Sequence, residues 1–265
     1  NSLEVQNMHR VLIDMIGICP ADKYGLVLWS HASSWLPVGF QTRSFGEEKG
    51  MQMDIMELSD ALPVKFDFIL FDACLMGAVE VAYELKDNAD YIIASSTETL
   101  YTGFPYDMII PDLMAVSPDL QKVAKKYMDY YQQLMGVYRS ATISVINTRE
   151  LEKLAQITSS LLAGNSINWG LFKRSIVQRL DNYEEQYLFD FSDFMHKAFI
   201  GNQIELFDNQ LKKVVLYKAN TDEFMGEFLI TTYCGLSSYI PLISRSDLNN
   251  YYQKLKWCKD SGYRN

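Results

Sequence analysis

The chain reads as an α/β protein: a mainly parallel sheet sandwiched by helices, followed by a mostly helical carboxyl part with a small β-hairpin. Three observations predict this. Apolar runs at 24–29, 67–71, 90–95 and 142–146 alternate with helix-period segments in the order β-α-β-α-β-α-α-β. One of them, Phe66-Asp67-Phe68-Ile69-Leu70-Phe71, runs straight into Asp72-Ala73-Cys74, as a buried strand ending in a sharp turn does. After Asn147 the helical period dominates, which places a boundary between a domain at 1–148 and a second at 149–265.

Taken in order, 3–17 carries a helical stripe (Leu3, Val5, Met8, Val11, Leu12, Met15) that Ile18-Cys19-Pro20 breaks. Tyr24–Trp29 is a strand of fully buried type. Residues 32–53 read as a loop, punctuated by Pro37, Gly39, Gly46 and Gly50. Asp54 caps a helix through Leu62, and Pro63 stops it. A helix over 75–86 begins at or just after Cys74. Helices follow at 106–115 and 118–136, the second with Ser117 as cap and Pro118 in its first turn. Beyond the boundary, 149–163, 170–180, 183–199 and 203–213 read as helices. Residues 214–217 and 228–232 read as a hairpin, 237–241 as a strand and 247–259 as a closing helix.

Composition narrows the function. Of 265 residues, 48% are hydrophobic, enough for a large core. A formal net charge of −9 without basic runs argues against nucleic acid and anionic membrane as partners. No apolar run approaches the roughly 18 residues of a membrane span. Cys19, Cys74, Cys234 and Cys258 show neither a disulfide framework nor metal-type spacing. The chain opens Asn1-Ser2-Leu3, which reads as a processed form or a fragment.

Ligands of open parallel sheets bind at the carboxyl ends of the strands. His31 and Cys74 each follow such an end and are expected on one sheet edge, although 43 residues separate them. A thiol beside an imidazole is the equipment of a cysteine hydrolase. A helix starting at the thiol would turn its positive end toward the sulfur and lower its pKa. The Cys74 amide is a natural oxyanion donor. Each residue alone is as readily structural, a small core thiol or a strand-end histidine; His9 and His196, on amphipathic helices, read as core or surface.

These residues carry a resemblance. Leu26-Val27-Leu28-Trp29-Ser30-His31-Ala32-Ser33-Ser34-Trp35, then Phe68–Gly77 and Val79–Leu85, are similar to the clostripain family of cysteine peptidases. So are Asp90–Ser96, Thr102-Gly103-Phe104-Pro105-Tyr106 and the stretches 235–241 and 251–257. The resemblance implies a caspase-like sandwich and an endopeptidase with His31 as base and Cys74 as nucleophile. The amides of Cys74 and Ala32 would hold the oxyanion. Asp72 would lie in the pocket for the substrate residue before the scissile bond, favouring Arg or Lys. Glu98, Thr99 and Thr102 would line that pocket. Self-cleavage would fall after Arg43 or Lys49 in the loop following His31.

The resemblance further implies peptide or protein substrates with basic residues, an extracytoplasmic location, and a strand and helix upstream of residue 1 that are removed, disordered or supplied by a separate amino-terminal fragment of the same precursor. No cofactor is required by the chemistry, though calcium dependence occurs among relatives. Two departures stand out: Ala32 where the family has Gly, and Thr102 where it often has an acid. They motivate an alternative, a catalytically weak or inactive relative that binds peptides or proteins. A hydrolase of non-peptide esters or amides is a third reading.

Overall fold

The computed structural model describes residues 1–37, 45–48, 51–164, 167–199 and 203–263. Their strands are β1 (Gly25–Trp29), β2 (Phe45–Glu48), β3 (Met51–Met53), β4 (Phe66–Asp72), β5 (Ala89–Ala94), β6 (Thr142–Asn147), β7 (Leu188–Asp190), β8 (Val215–Asn220), β9 (Glu223–Phe224), β10 (Phe228–Leu229) and β11 (Ser237–Tyr239). The α-helices are α1 (Val5–Ile18), α2 (Ile55–Ala61), α3 (Val79–Glu84), α4 (Tyr106–Leu113), α5 (Leu120–Gln132), α6 (Leu151–Gly164), α7 (Phe191–Ala198), α8 (Gln203–Val214), α9 (Ser246–Tyr252) and α10 (Lys256–Ser261).

The central sheet has the order β1-β4-β5-β6-β8. β1, β4 and β5 run parallel, in the registers Val27↔Leu70 and Leu70↔Ile93. β6 is antiparallel to β5 (Ile92↔Ile146) and β8 antiparallel to β6 (Ile143↔Ala219). Side chains alternate along β4 and divide the core. Phe68 and Leu70 pack with Ile109 of α4 and Val123 and Tyr127 of α5, whereas Ile69 and Phe71 pack with Val79, Val81, Leu151 and Leu154 on the other face. Burial on both faces explains why β4 reads as a continuous apolar run.

Several local expectations change. β1 is not fully buried: it is the sheet edge, and Gly25, Val27 and Trp29 are exposed on alternate positions, Trp29 to 76%. Part of the 32–53 loop forms the antiparallel pair β2–β3. The α5 cap is Asp119, whose carboxylate accepts the Lys122 N–H, not Ser117 two residues earlier. At 170–180 there is only a 3-10 turn, Arg174–Ile176, and the front of 183–199 becomes β7. The carboxylate of Asp181 explains this, because it takes the N–H groups of Tyr183, Tyr187 and Leu188 and holds a turn where helix bonds would form. Residues 215–220 extend the central sheet instead of pairing with 228–232; the hairpin is β9–β10. The closing helix is two helices, α9 and α10.

Candidate active site

The β1–β4 ladder pairs Trp29 with Asp72, its last register position. His31 and Cys74 each lie two residues further, so parallel pairing delivers both to one edge of the sheet. The His31 side chain is exposed, and its carbonyl accepts the Gly46 N–H at 2.8 Å. Ala32 is bridged to Phe45 and is buried. It keeps negative φ, so its methyl costs no backbone strain; Ser34 (φ 61°) and Leu75 (φ 64°) take the left-handed conformation instead.

The chain does not enter a helix at Cys74. Leu75 and Gly77 donate their N–H groups to Thr97 O and Ser95 O, at 2.9 and 2.7 Å. These bonds hold an irregular turn, and α3 starts only at Val79. Gly77 is required there: a Cβ would lie 2.6 Å from Ser96 Oγ and 2.8 Å from the backbone. The helix-end contribution to the thiol is thereby removed, and the pKa moves opposite to expectation. Burial pushes Cys74 up; the Thr99 N–H, 3.3 Å from Sγ, opposes this, and the charges of Glu98 and Asp72 add to it. At rest the group is a thiol.

Asp72 is 3% exposed. Its Oδ2 accepts the Tyr106 hydroxyl at 2.9 Å and the Phe104 N–H at 3.4 Å. Burial raises its pKa, against those two bonds. Gly103 (φ +60°) closes over it, and a Cβ there would meet Oδ2 at 2.6 Å. The Thr102 hydroxyl lies 2.9 Å from that of Tyr131, which donates to Gly103 O at 2.9 Å. Thr99 Oγ1 donates to Ala73 O. Glu98 is largely buried beside the thiol; burial pushes its carboxyl to about 7, nearby Asp181 pushes the same way, and the Asn182 N–H and Arg179 oppose. Its Oε2 has no hydrogen-bond partner.

Thus Cys74, Thr99, Glu98 and Asp72 converge, with His31 at the neighbouring strand end. Arg43 and Lys49 lie outside the described residues. Sequence reasoning missed Tyr106, Phe104 and Gly103 as the cover of Asp72. The signal was the Thr102-Gly103-Phe104-Pro105-Tyr106 step itself, where a glycine precedes two aromatics on a strand-end loop. Among the described residues no three His, Cys, Asp or Glu side chains are grouped to hold a metal ion. No described helix is long and apolar enough to cross a membrane.

A strand-end thiol, a strand-end imidazole on the adjacent parallel strand and a buried carboxylate two residues before the sulfur form the residue set of an α/β thiol hydrolase. The comparisons narrow the class. The Clostripain family profile matches residues 1–262, and the chain belongs to that family of cysteine peptidases. It is similar to the inactive zymogen of a C11 protease from Parabacteroides distasonis, with TM-score 0.89 and 34% identity, covering 98% of this chain and 76% of the other. A secreted C11 cysteine protease from Bacteroides thetaiotaomicron, solved with an irreversible peptide inhibitor, gives TM-score 0.87 and 30% identity over 99% of this chain and 79% of that one. Clostripain of Hathewaya histolytica is 42% identical over 66 residues, 22% of this chain but 12% of its own length.

Proposed function

We propose that the chain is a cysteine endopeptidase that cleaves after Arg or Lys with a Cys74–His31 dyad. The observation that carries this reading is the Trp29↔Asp72 register, which sets the imidazole and thiol at one edge with a carboxylate buried beside them. His31 takes the thiol proton, and the thiolate adds to the carbonyl carbon, placing charge on the oxygen. The amides of Cys74 and Ala32 hold that oxyanion. The imidazolium then protonates the leaving amine as the C–N bond breaks. Water, deprotonated by His31, hydrolyses the thioester and restores the thiol.

A guanidinium or ammonium bound against Asp72 supplies specificity through charge-assisted hydrogen bonds. It also offsets one of the two negative charges that add to burial in favouring the Cys74 thiol, so the right substrate helps to form the nucleophile. Glu98 and Thr99 border this site, with Thr102 at its rim. Self-processing after Arg43 or Lys49 fits this preference. We place the protein outside the cytoplasm, in line with its secreted structural relative. The open edge of β1, with Val27 and Trp29 exposed, suits pairing with a further strand from the same precursor.

The test sets the parent beside Cys74→Ala, with matched peptides carrying Arg, Lys or Ala before a reporter amide, and intact mass spectrometry of both proteins. Turnover of the basic peptides by the parent alone, with a break after Arg43 or Lys49, supports the proposal. Full activity in Cys74→Ala rules out the mechanism. Binding of basic peptides without turnover leaves the alternative, a peptide-binding relative.

A further inference from the structure

One fully buried carboxylate has no part in the chemistry above. Glu80, in the first turn of α3 and six residues after Cys74, is 0% exposed. Its Oε1 accepts the Tyr239 N–H at 2.8 Å, the Tyr252 hydroxyl at 3.1 Å and the Ser238 hydroxyl at 3.2 Å, while its Oε2 accepts nothing. All three donors belong to the stretch that includes β11 and α9. The same stretch reaches the Cys74 turn directly, since Ser237 donates its N–H to Gly77 O at 2.9 Å.

The other half of the dyad ends in the same place. Trp35, four residues after His31, is fully buried. Its ring meets Tyr252 edge-on at 4.9 Å and Tyr239 edge-on at 5.2 Å, and stacks on Tyr251 at 6.5 Å. Tyr239 and Tyr252 touch each other at 5.0 Å. Tyr252 therefore contacts Trp35 with its ring and Glu80 with its hydroxyl.

We propose that Trp35 and Glu80 are positioning residues that act through one clamp, Tyr239 and Tyr252, which fixes the His31 segment and the Cys74 turn relative to each other. The need for it follows from the ladder. Among the described residues the ladder ends at Trp29 and Asp72, and past it the Ser30 N–H reaches Asp72 O at 3.4 Å. The two side chains project from segments the sheet no longer registers. A half-satisfied buried carboxylate is a poor source of stability, but its three donors admit one arrangement. This inference rests on His31 and Cys74 acting as a pair.

The experiment is a double-mutant cycle of Trp35→Phe and Glu80→Gln in the full chain, carried in a Cys19→Ser background so that Cys74 is the thiol read by iodoacetamide. Each single change is expected to lower kcat about tenfold, with KM moved less than about twofold. The double variant should fall short of the product of the two effects by at least about threefold, because both act on one cluster. Tyr83→Phe is the control: it removes a 2.7 Å bond from the same helix to Asp260 on α10, and should lower the melting temperature while kcat stays at the parental value. Should either variant fail to fold, Tyr252→Phe keeps the ring, loses one hydroxyl and is expected to lower kcat about threefold.

Parental kcat in folded variants, multiplicative effects, or an equal loss in Tyr83→Phe would overturn the clamp. A parent that hydrolyses no basic peptide sinks the functional reading instead. The cycle is then read from Cys74 alkylation rates, where non-additivity supports the clamp and additivity overturns it.

Discussion

Asp72 is held from three sides, and each contact limits it differently. Tyr106 and Phe104 donate hydrogen bonds that favour its charged form, whereas the closure of Gly103 removes water and disfavours it. The proposed pocket therefore balances a carboxylate between ionisation and burial until a cation arrives. Asp72→Asn separates its two roles. We expect kcat/KM for Arg and Lys peptides to fall about a hundredfold. In the same variant, alkylation of resting Cys74 by iodoacetamide at pH 8 should rise roughly twofold, since one nearby negative charge is gone. A fall in both would mean that Asp72 serves the thiol and not the substrate. Gly103→Ala tests the cover: positive φ and a 2.6 Å approach to Oδ2 predict a loss of about 1–3 kcal/mol in urea unfolding.

At the scale of elements, α3 shows what sequence periodicity can and cannot convey. The stripe Leu75, Met76, Val79, Val81, Ala82 and Leu85 announces a helix, but not that the N–H groups of Leu75 and Gly77 are claimed by the carbonyls of Thr97 and Ser95. Those bonds come from a loop distant in sequence, and no local pattern encodes them. The same reasoning separates the elements that were legible from those that were not. The capping box of α2, Asp54 with Glu57, is local and was readable. The Asp181 turn is also local, yet a carboxylate that captures three N–H groups looks in sequence like any polar residue on a helix face. His31, Cys74 and Asp72 could be placed because strand ends and parallel order fix them. The cover of Asp72 depends on side-chain packing across a loop and could not.

Glu80 gives α3 a pH dependence whose sign can be worked out. Burial above all pushes its carboxyl to about 7 from an ordinary 4.5, against the bonds from Tyr239, Tyr252 and Ser238. A proton held more tightly when folded contributes stability that is full below about 4.5 and is lost as pH rises through about 7. The tyrosines around it stay protonated across this window, Tyr252 and Tyr263 being pushed well above their usual range. Glu98, also at about 7, adds a slope of the same sign. The parent should melt at a higher temperature at pH 5 than at pH 7.5, and Glu80→Gln should show a shallower difference by calorimetry. An unchanged slope would place the titration elsewhere.

For the whole molecule, the central sheet ends in two edge strands, β1 and β8. β1 leaves Val27 and Trp29 exposed along one of them. An edge strand with exposed apolar side chains invites pairing with another chain. Val27→Lys is expected to leave stability within about 0.5 kcal/mol while raising the concentration at which light scattering detects self-association. The fold class was legible from the alternation of strands and helices. The contribution of 215–220 to the sheet was not, because a strand's partner is chosen by the finished core rather than by its own residues.

That late strand also sets a timetable. His31 and Cys74 leave the ribosome well before β8, β11 and Tyr252. A growing chain thus carries its proposed nucleophile for a time without the segments we propose to seat it. On that proposal, cutting competence arrives only once those later segments are in place.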